Sequence, residues 1–323
     1  MIEDILKTKI LFVERIKKQL GEEEAEKFFE FIKKKTRKSI RINTIKISPE
    51  ELKSRLRKKE WKIREIKDFP LAIIIESKLN PGELGKTLEH NLGYYYVQEL
   101  TSMLPAFALD AKEGESVLDI CAAPGSKTTQ IAAMMKNKGI IFANDIRSDR
   151  ARVLNFNLNK CGVSNTIITS MDGFQLCKIF EENNFLFDKI TLDAPCSGEG
   201  TIMNDLDSLK MWNIRNIEKL SKIQKQMASR AFKSLKIGGI LIYSTCTLSP
   251  EEDEEVIQYM LDNFHCKIEK TDFPLKSRKP LKEWNGKKFS KEIQNCAKFW
   301  PQDNESEGFF IAKIRKIEKT GEK

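Results

Sequence analysis

The stretch Ser-Val-Leu-Asp-Ile-Cys-Ala-Ala-Pro-Gly-Ser-Lys-Thr, residues 116–128, decides the fold of this chain. Its first part, Ser116–Ile120, is a short apolar run typical of a buried strand, and a helical pattern follows over Thr128–Met135. The small residues between them allow the backbone to approach a ligand closely at the start of the helix. This order of strand, turn and helix predicts the first unit of an α/β sheet with a ligand at its edge.

The same alternation of strand and helix continues to the end of the chain. The sequence predicts further strands over 139–144, 166–169, 187–192 and 239–243, with helices between them, and a final antiparallel pair over 265–270 and 308–315. Alternation of this kind indicates a mostly parallel sheet covered by helices on both faces. We therefore predict a Rossmann-like α/β domain over residues 106–323.

Residues 1–105 predict a smaller, mixed α+β domain in front of that sheet. Apolar spacing favours a helix over Glu22–Lys35, and alternating apolar and polar residues favour a strand over Ile40–Ile47. Ser48 and Pro49 then open another helix with a cap and a first-turn proline. Near the other end, residues 272–306 are polar with little periodicity, and we expect a structured loop or insertion there.

Composition and charge favour a globular protein that binds a polyanion. Of the 323 residues, 40% are hydrophobic and 32% are charged, and no apolar run approaches the roughly 18 residues that cross a bilayer. The net charge is +9, and residues 1–100 hold 23 basic against 17 acidic residues. A basic lobe of this kind is typical of nucleic-acid binders, although solvated Lys- and Glu-rich faces would give the same counts.

The acidic N-terminus lacks the order of a signal peptide, so we expect a cytoplasmic protein that is not bound to membranes, and we expect a monomer. The seven cysteines form no Cys-x-x-Cys pair, and the chain has only two histidines. These counts argue against a structural metal site, and they favour free thiols in a reducing compartment.

Two of these cysteines follow predicted buried strands. They are Cys196, in Asp-Ala-Pro-Cys-Ser-Gly over 193–198, and Cys246, in Tyr-Ser-Thr-Cys-Thr over 243–247. In an open parallel sheet, ligand-binding and catalytic residues lie at the carboxyl ends of the strands. An isolated cysteine is more often an ordinary buried thiol. Two thiols at this edge, one of them close to Asp193, favour covalent catalysis instead.

The turn after the first strand favours a nucleoside ligand without phosphates. It is not a phosphate-binding P-loop, because Ser126 separates the glycine from Lys127, and it lacks the glycines of a dinucleotide fingerprint. Asp145 and Asp172 follow the next two predicted strands, where ribose hydroxyls and an adenine amino group would lie. One aspartate at a strand end is more often a helix cap. Together with Asp119 and the turn, they predict a pocket for S-adenosyl-L-methionine.

Three motifs resemble the signatures of the Nol/Nop/Sun family of RNA cytosine-5 methyltransferases, and in particular archaeal enzymes that act on tRNA. The motifs are Asp119–Thr128, Asp193–Gly200 and Ser244–Thr247. The stretches Arg41–Thr44, Gly93–Leu104 and Gly308–Ala312 are similar to that family as well. The resemblance covers about residues 40–315. It implies a class I S-adenosylmethionine-dependent methyltransferase sheet and RNA as the partner.

The resemblance also implies the roles of individual residues. Cys246 would be the nucleophile, Cys196 would assist product release, and Asp193 and Lys127 would hold the target cytosine. The cofactor would lie along Cys121, Ala122, Ala123, Pro124, Gly125, Ser126, Lys127, Asp145, Arg150, Asp172 and Asp193. The chemistry fits these roles, because a thiolate that adds to carbon 6 of cytosine makes carbon 5 nucleophilic enough to accept a methyl group.

Several alternatives remain at this point. A DNA cytosine-5 methyltransferase also uses a Pro-Cys thiol, but its Glu-Asn-Val triplet is missing here. An amino-group methyltransferase would have Asp-Pro-Pro-Tyr where this chain has Asp-Ala-Pro-Cys, and the stacking aromatic is absent. A non-catalytic RNA-binding assembly factor would have no need of both thiols. We expect transfer of a methyl group to RNA, with tRNA favoured over ribosomal RNA as the substrate.

Overall fold

The computed structural model describes residues 2–318. Its strands are β1 Ser39–Ile42, β2 Ile63–Ile66, β3 Phe69–Ile75, β4 Tyr95–Val97, β5 Ser116–Asp119, β6 Ile140–Asn144, β7 Thr166–Thr169, β8 Phe187–Asp193, β9 Leu235–Thr245, β10 Cys266–Glu269, β11 Glu283–Trp284, β12 Lys287–Lys288, β13 Ala297–Phe299 and β14 Phe309–Lys316. Its α-helices are α1 Ile2–Thr8, α2 Ile10–Leu20, α3 Glu22–Ile32, α4 Pro49–Lys58, α5 Glu83–Lys86, α6 Leu88–Asn91, α7 Leu104–Leu109, α8 Ser126–Met134, α9 Ser148–Cys161, α10 Gly173–Glu182, α11 Leu206–Lys210, α12 Ile214–Lys233, α13 Glu254–Asn263 and α14 Pro301–Asn304.

The main sheet has eight strands in the order β10-β14-β9-β8-β5-β6-β7, and β13 adds to β14. Strands β5 to β9 are parallel to their neighbours, whereas β14 runs antiparallel to β9. The chain order reverses between β5 and β8, and in such sheets this is the point where ligands bind. The predicted fold class, a Rossmann-like class I methyltransferase sheet with a smaller N-terminal α+β region, is confirmed.

Apolar side chains on both faces of the central strands explain why this sheet is buried. On β9, Leu241 and Tyr243 are buried in one apolar layer, and Ile240 and Ile242 are buried in the other. Helices α10, α12 and α13 cover one face of the sheet, and α7 and α8 cover the other. Two apolar layers of this kind supply the main favourable free energy of folding. They leave the carboxyl ends of the strands as the place where polar side chains gather.

The front sheet is antiparallel, in the order β2-β3-β1-β4, and α4 packs on it through Leu52 and Leu56. The strand predicted over Ile40–Ile47 was too long, because β1 ends at Ile42. The next residue, Asn43, turns its amide inward and donates hydrogen bonds of 2.8 Å to the carbonyls of Gly93 and Cys161. These bonds join the end of β1 to the catalytic region and stop the strand there.

Arg41 joins the front sheet to the main sheet. Its guanidinium is fully buried and donates to the side chain of Gln98, the carbonyl of Ser126 and the hydroxyl of Thr129. Burial lowers the pKa of Arg41 to about 10, which still leaves the group charged at neutral pH. A buried cation is tolerated only where acceptors surround it. The Arg41–Thr44 motif therefore works as a connection between the two sheets.

Residues 2–32 form three helices that pack against the main-sheet region. Phe12 meets Trp212 with ring centroids 5.5 Å apart, and Phe28 meets Trp300 at 5.8 Å. The sequence predicts only the third of these helices, over Glu22–Lys35, and in the structure that helix ends earlier, at Ile32. The lysines that follow have no apolar side chain to bury, so nothing holds them in a helix.

The polar segment 272–306 is a structured insertion that includes β11, β12, β13 and α14, as the sequence analysis expected. Its β13 pairs with β14 through Phe299 and Phe309. Lys298 is buried within this segment, and its ammonium lies 3.2 Å from carboxylate oxygens of both Asp253 and Glu254. This buried ion pair holds the insertion against the end of β9.

Candidate active site

The two cysteines singled out in the sequence meet at the carboxyl edge of the main sheet. Cys196 lies in the loop after β8, and Cys246 comes directly after β9. Their sulfur atoms are 3.2 Å apart, and both side chains are partly exposed. Contact with Cys246, followed by burial, raises the pKa of Cys196 well above its ordinary value. Cys196 is therefore a protonated thiol at neutral pH and can donate its hydrogen toward the sulfur of Cys246.

A buried carboxylate holds the loop that carries Cys196. Glu252 accepts hydrogen bonds from the backbone nitrogen of Ser197 at 3.0 Å and from the side chain of Gln224 at 2.8 Å. Burial raises the pKa of Glu252 to about 7. The hydroxyls of Ser197 and Thr247 lie 2.7 Å apart and link the two cysteine loops directly. The positions of both thiols are thus fixed by hydrogen bonds on each side of them.

Glu252 and its neighbours are functional residues that sequence reasoning missed. In the sequence, the acidic run 251–255 is typical of the first turn of a helix, where negative charge suits the helix dipole. The helix α13 instead begins at Glu254, and the run before it folds inward. Asp253 accepts a hydrogen bond of 2.6 Å from Thr245 beside the nucleophile loop. One signal in the sequence was a run of five acidic residues that begins five positions after Cys246.

Gly200 and Gly308 bring three backbone segments together behind the thiols. The backbone nitrogen of Gly200 donates to the carbonyl of Cys246 at 2.9 Å, and Gly308 donates to the carbonyl of Gly200 at 2.8 Å. A Cβ atom on Gly200 would lie 2.3 Å from the carbonyl oxygen of Gly308. Only glycine allows this approach, which explains the glycine in both motifs.

We expect Gly200→Ala to lower the free energy of unfolding by about 2 kcal/mol or more, because the added methyl group has no space in a rigid backbone cluster. Chemical denaturation of purified protein measures this change. Gly85→Ala is the matched control, since a Cβ atom there meets nothing within 4 Å. Equal unfolding free energies for the two variants would show that the close approach at Gly200 is not required.

Asp193 and Lys127 form an ion pair beside the thiols. Their side chains meet at 2.7 Å, and the same ammonium donates to the hydroxyl of Ser102 at 3.2 Å. The other oxygen of Asp193 accepts a hydrogen bond of 2.8 Å from Ser244. Lys127 is 6% exposed, whereas the Asp193 side chain is 30% exposed. The carboxylate of Asp193 therefore faces the cleft, and Lys127 and Ser244 hold it in place.

The turn from Cys121 to Ser126 connects β5 to α8, as predicted. Its outer carbonyls are held by the protein, since Arg150 donates to the carbonyl of Ala123 and Asn157 donates to that of Pro124. Gly125 adopts φ of +107°, which favours glycine at the start of α8. Burial raises the pKa of the Cys121 thiol, so that it stays protonated.

Two buried carboxylate oxygens at this edge accept no hydrogen bond within the described residues. One belongs to Asp119, whose other oxygen accepts from Thr128, and burial raises the pKa of Asp119 to about 7. The second belongs to Asp145 and lies 3.3 Å from Arg150, in a geometry that makes no hydrogen bond. Unsatisfied buried acceptors of this kind are costly unless a ligand supplies the donors.

Asp172 lies at the third strand end but caps a helix. Its carboxylate accepts hydrogen bonds from the backbone nitrogens of Phe174 and Gln175 at the start of α10. Its side chain is exposed, and a capping role accounts for the hydrogen bonds it makes. Among the three strand-end acids, Asp172 thus differs from Asp119 and Asp145, whose side chains are buried.

Residues 106–315 match the family described as 16S rRNA methyltransferase RsmB/F. The chain belongs to this family. Residues 10–100 match the N-terminal domain of 16S rRNA methyltransferase RsmF. The predicted resemblance to the Nol/Nop/Sun family is confirmed, and so is the predicted enzyme class of S-adenosylmethionine-dependent RNA cytosine-5 methyltransferase.

Named relatives of this RsmB/F-family chain act on two kinds of RNA. A tRNA (cytosine(49)-C(5))-methyltransferase of Pyrococcus abyssi is 41% identical over 319 residues, which is 97% of this chain and 98% of that protein. A ribosomal RNA small subunit methyltransferase F of Vibrio atlanticus is 40% identical over 88% of this chain, but the match spans only 58% of that protein.

Solved structures of two Pyrococcus horikoshii proteins share this fold. A methyltransferase homolog protein has a TM-score of 0.84 at 37% identity, with 98% of this chain and 99% of that chain covered. NSun6, determined with SFG, has a TM-score of 0.80 at 26% identity, with 95% of this chain and 97% of that chain covered. The class I fold and these neighbours indicate a cofactor of the S-adenosylmethionine type.

Membrane-spanning helices and metal-ligand clusters are both absent from residues 2–318. No helix in that range has the length and apolar character needed to cross a membrane. No group of three or more His, Cys, Asp or Glu side chains there is arranged to hold a metal ion. The monomeric state and the cytoplasmic location expected from the sequence stay predictions.

Proposed function

We propose that the protein transfers a methyl group from S-adenosyl-L-methionine to carbon 5 of a cytosine in tRNA, through a covalent bond between the cytosine and Cys246. The observation that carries this proposal is the 3.2 Å contact between the sulfur atoms of Cys196 and Cys246, at the same sheet edge as the ion pair of Asp193 and Lys127. A nucleophile, a second thiol and a polar clamp in one cleft match the needs of this reaction.

The residues at the sheet edge fit the cofactor. The unsatisfied oxygen of Asp145 would accept hydrogen bonds from ribose hydroxyls, and the turn from Cys121 to Ser126 would lie against the rest of the nucleoside. Asp172 would face the adenine end from its place at the start of α10. When bound, the cofactor supplies a methyl group on a positively charged sulfur. Arg150 contacts both Asp145 and the carbonyl of Ala123. It therefore holds Asp145 and the turn from Cys121 to Ser126 in fixed positions relative to each other.

The contact between the thiols divides their roles. Cys196 can donate a hydrogen bond to the sulfur of Cys246, and this bond would stabilise the negative charge on that sulfur as it attacks carbon 6 of the ring. Once that sulfur is bonded to carbon, its hydrogen bond with Cys196, which is the first cause of the raised pKa of Cys196, would be weaker. Cys196 would then lose its proton to solvent, and its thiolate would take the hydrogen from carbon 5. The electrons of that C–H bond re-form the double bond between carbons 5 and 6 as the bond from carbon 6 to the sulfur of Cys246 breaks.

Asp193 and Lys127 would orient the cytosine. The partly exposed carboxylate of Asp193 would accept a hydrogen bond from the exocyclic amino group of the ring, and the Lys127 ammonium would keep the acid in place. Polar groups that are held before the reaction can stabilise charge that develops on the ring during attack.

We expect Asp193→Asn to lower kcat/KM by about two to three orders of magnitude, because the amide cannot accept in the same way and loses its attraction to Lys127. Methyl transfer from labelled S-adenosylmethionine to RNA measures the change. Asp188→Asn is the matched control, since Asp188 is on the same strand but pairs with Lys236 at the opposite edge of the sheet. A loss of activity in the control alone would contradict the assignment.

The choice of tRNA as the substrate is supported by how much of each relative's length this chain matches. The Pyrococcus abyssi relative, which is named for tRNA cytosine 49, matches along nearly its whole length, whereas the ribosomal enzyme of Vibrio atlanticus matches along 58%. The basic front region gives a surface that attracts phosphates, and RNA binding should therefore weaken steeply with salt.

The test of this proposal is to incubate the protein with S-adenosylmethionine and either unmodified tRNA or small-subunit ribosomal RNA, and then to identify the methylated nucleoside by mass spectrometry. We expect 5-methylcytidine in tRNA. The same product only in ribosomal RNA would change the substrate, and methylated adenosine or no product in either RNA would overturn the proposed function.

A further inference from the structure

A small polar cavity lies beside the catalytic loops and has no part in the roles described so far. It has a volume of about 230 Å³, which is larger than one nucleobase, and Thr36, Lys38, Val97, Glu99, Asn204 and Glu307 are among its lining residues. It adjoins a larger cavity of about 900 Å³, with which it shares Arg37, Lys38 and Val97. Together the two form a groove along the linker between α3 and β1.

The small cavity is connected to the active site through the backbone. Glu307 directly precedes Gly308, whose nitrogen donates to the carbonyl of Gly200 behind Cys246. The carbonyl of Glu307 accepts a hydrogen bond of 3.1 Å from Thr101, whose neighbour Ser102 contacts Lys127. A nucleotide next to a cytosine at the thiols would therefore reach this cavity.

The linker over 33–38 supplies positive charge that other side chains do not neutralise. Lys33 and Arg37 pair with glutamates. By contrast, the ammonium groups of Lys34, Lys35 and Lys38 have no carboxylate within 4 Å among the described residues, and all three side chains are exposed. Unpaired lysines along a groove are the expected contacts of a phosphate backbone.

The polar groups inside the cavity are arranged to accept hydrogen bonds. Asn204 donates to one carboxylate oxygen of Glu307 at 2.8 Å and fixes its orientation. Glu99 accepts from the backbone nitrogen of Leu100 at 2.7 Å. Burial, and then the nearby charge of Glu99, raises the pKa of Glu307 to about 7. Val97, which is 37% exposed, gives an apolar contact for the face of a base.

We propose that this cavity binds the nucleotide next to the target cytosine and selects guanine, with the carboxylate of Glu307 as the specificity-determining group and Lys38 as its partner. The Watson–Crick edge of guanine has two adjacent donors, N1–H and the N2 amino group, which suit one carboxylate, and its O6 accepts from an ammonium. Adenine would place its N1 acceptor against the carboxylate. Single-stranded RNA is commonly distinguished through this edge of the base.

This inference rests on the proposed function for the identity of the substrate, but binding tests it separately. Fluorescence anisotropy would measure the affinity of the protein for short single-stranded RNAs that contain one cytosine. Guanine, adenine or inosine would be placed in turn on the 5′ and 3′ sides of that cytosine. We expect guanine on one side to bind at least about tenfold more tightly than adenine, with inosine between them because it lacks the N2 amino group.

Glu307→Gln should reduce this preference to about twofold or less while the affinity for the adenine RNA stays near that of the unchanged protein. Glu283→Gln is the matched control, because Glu283 is an exposed carboxylate on β11 that lines neither cavity. Equal binding of guanine and adenine RNAs on both sides would overturn the proposal, and so would an unchanged preference in Glu307→Gln. A clear preference for guanine without methyl transfer would leave the cavity assigned and reject the proposed function instead.

The lysines of the groove predict a second measurement on the same RNAs. Replacing Lys35 and Lys38 by glutamine should weaken binding of every sequence, and it should lower the slope of log affinity against log salt by about 0.7 for each phosphate that is no longer neutralised. Replacing Lys136 and Lys138, which pair with Glu113 at the opposite edge of the sheet, removes the same formal charge as the matched control. If the two double variants gave equal slopes of log affinity against log salt, the RNA backbone would not lie in the groove.

Discussion

Replacing Cys246 by alanine is expected to lower methyl transfer to RNA by at least about a thousandfold, because no other group in the described part of the cleft can form the bond to carbon 6 of cytosine. The sulfur of Cys196 lies 3.2 Å from that of Cys246, but burial, which remains in this variant, still raises the pKa of Cys196 and makes it a poor substitute as the nucleophile. Transfer of labelled methyl groups to tRNA under single-turnover conditions measures the loss.

The control for this variant is Cys177→Ala, which removes a thiol on the buried face of α10. It should retain most of the activity, although its stability will fall somewhat because a small cavity forms. Binding of the cofactor to Cys246→Ala, measured by calorimetry, should stay close to that of the unchanged protein. Normal turnover by Cys246→Ala would contradict covalent catalysis through this residue.

The second large effect is expected for Cys196→Ala. Attack by Cys246 should still occur, but the base that removes hydrogen from carbon 5 is missing, so the enzyme and the methylated RNA stay joined. We expect a covalent protein–RNA adduct that accumulates with time and migrates as a slower band in denaturing gels. Its yield should approach one RNA per enzyme, whereas turnover ceases.

The double variant Cys196→Ala/Cys246→Ala separates this explanation from non-specific cross-linking, because it should give no slow band. Treatment of the adduct with nuclease and then mass spectrometry should locate the nucleotide on Cys246. If Cys196→Ala turned over at the normal rate and gave no adduct, its role in product release would be wrong, even with Cys246 still essential.

The sequence predicted the sheet well because its strands are short apolar runs with clear breaks between them. The predicted strand over 166–169 coincides with β7, and the one over 187–192 differs from β8 by a single residue. The two thiols could be placed at one edge from topology alone, because the carboxyl ends of parallel strands face the same side. Their distance of 3.2 Å could not be predicted, since it depends on how the loops after β8 and β9 fold.

The predictions that were wrong concern residues whose tertiary contacts override the secondary structure that their local sequence pattern favours. Glu252 and Asp253 look like a solvated first turn of a helix, yet both are buried because backbone and hydroxyl donors of the cysteine loops reach them. Ile40–Ile47 alternates like a strand, but Asn43 finds two carbonyls that end it. Helices α1 and α2 went unpredicted because their short apolar faces are completed only by Trp212 and its neighbours.

The buried guanidinium of Arg41 has a consequence for how a substrate enters the cleft. Its acceptors belong to Gln98 on the front side and to Ser126 and Thr129 on the helix that follows the cofactor turn. Opening the two sheets like a hinge would strip a permanent cation of these acceptors while it remained shielded from water, and that step is energetically steep. The front lobe therefore stays at one distance from the partly exposed thiols, and an RNA that contacts both would be held with that spacing between its phosphate contacts and its target base.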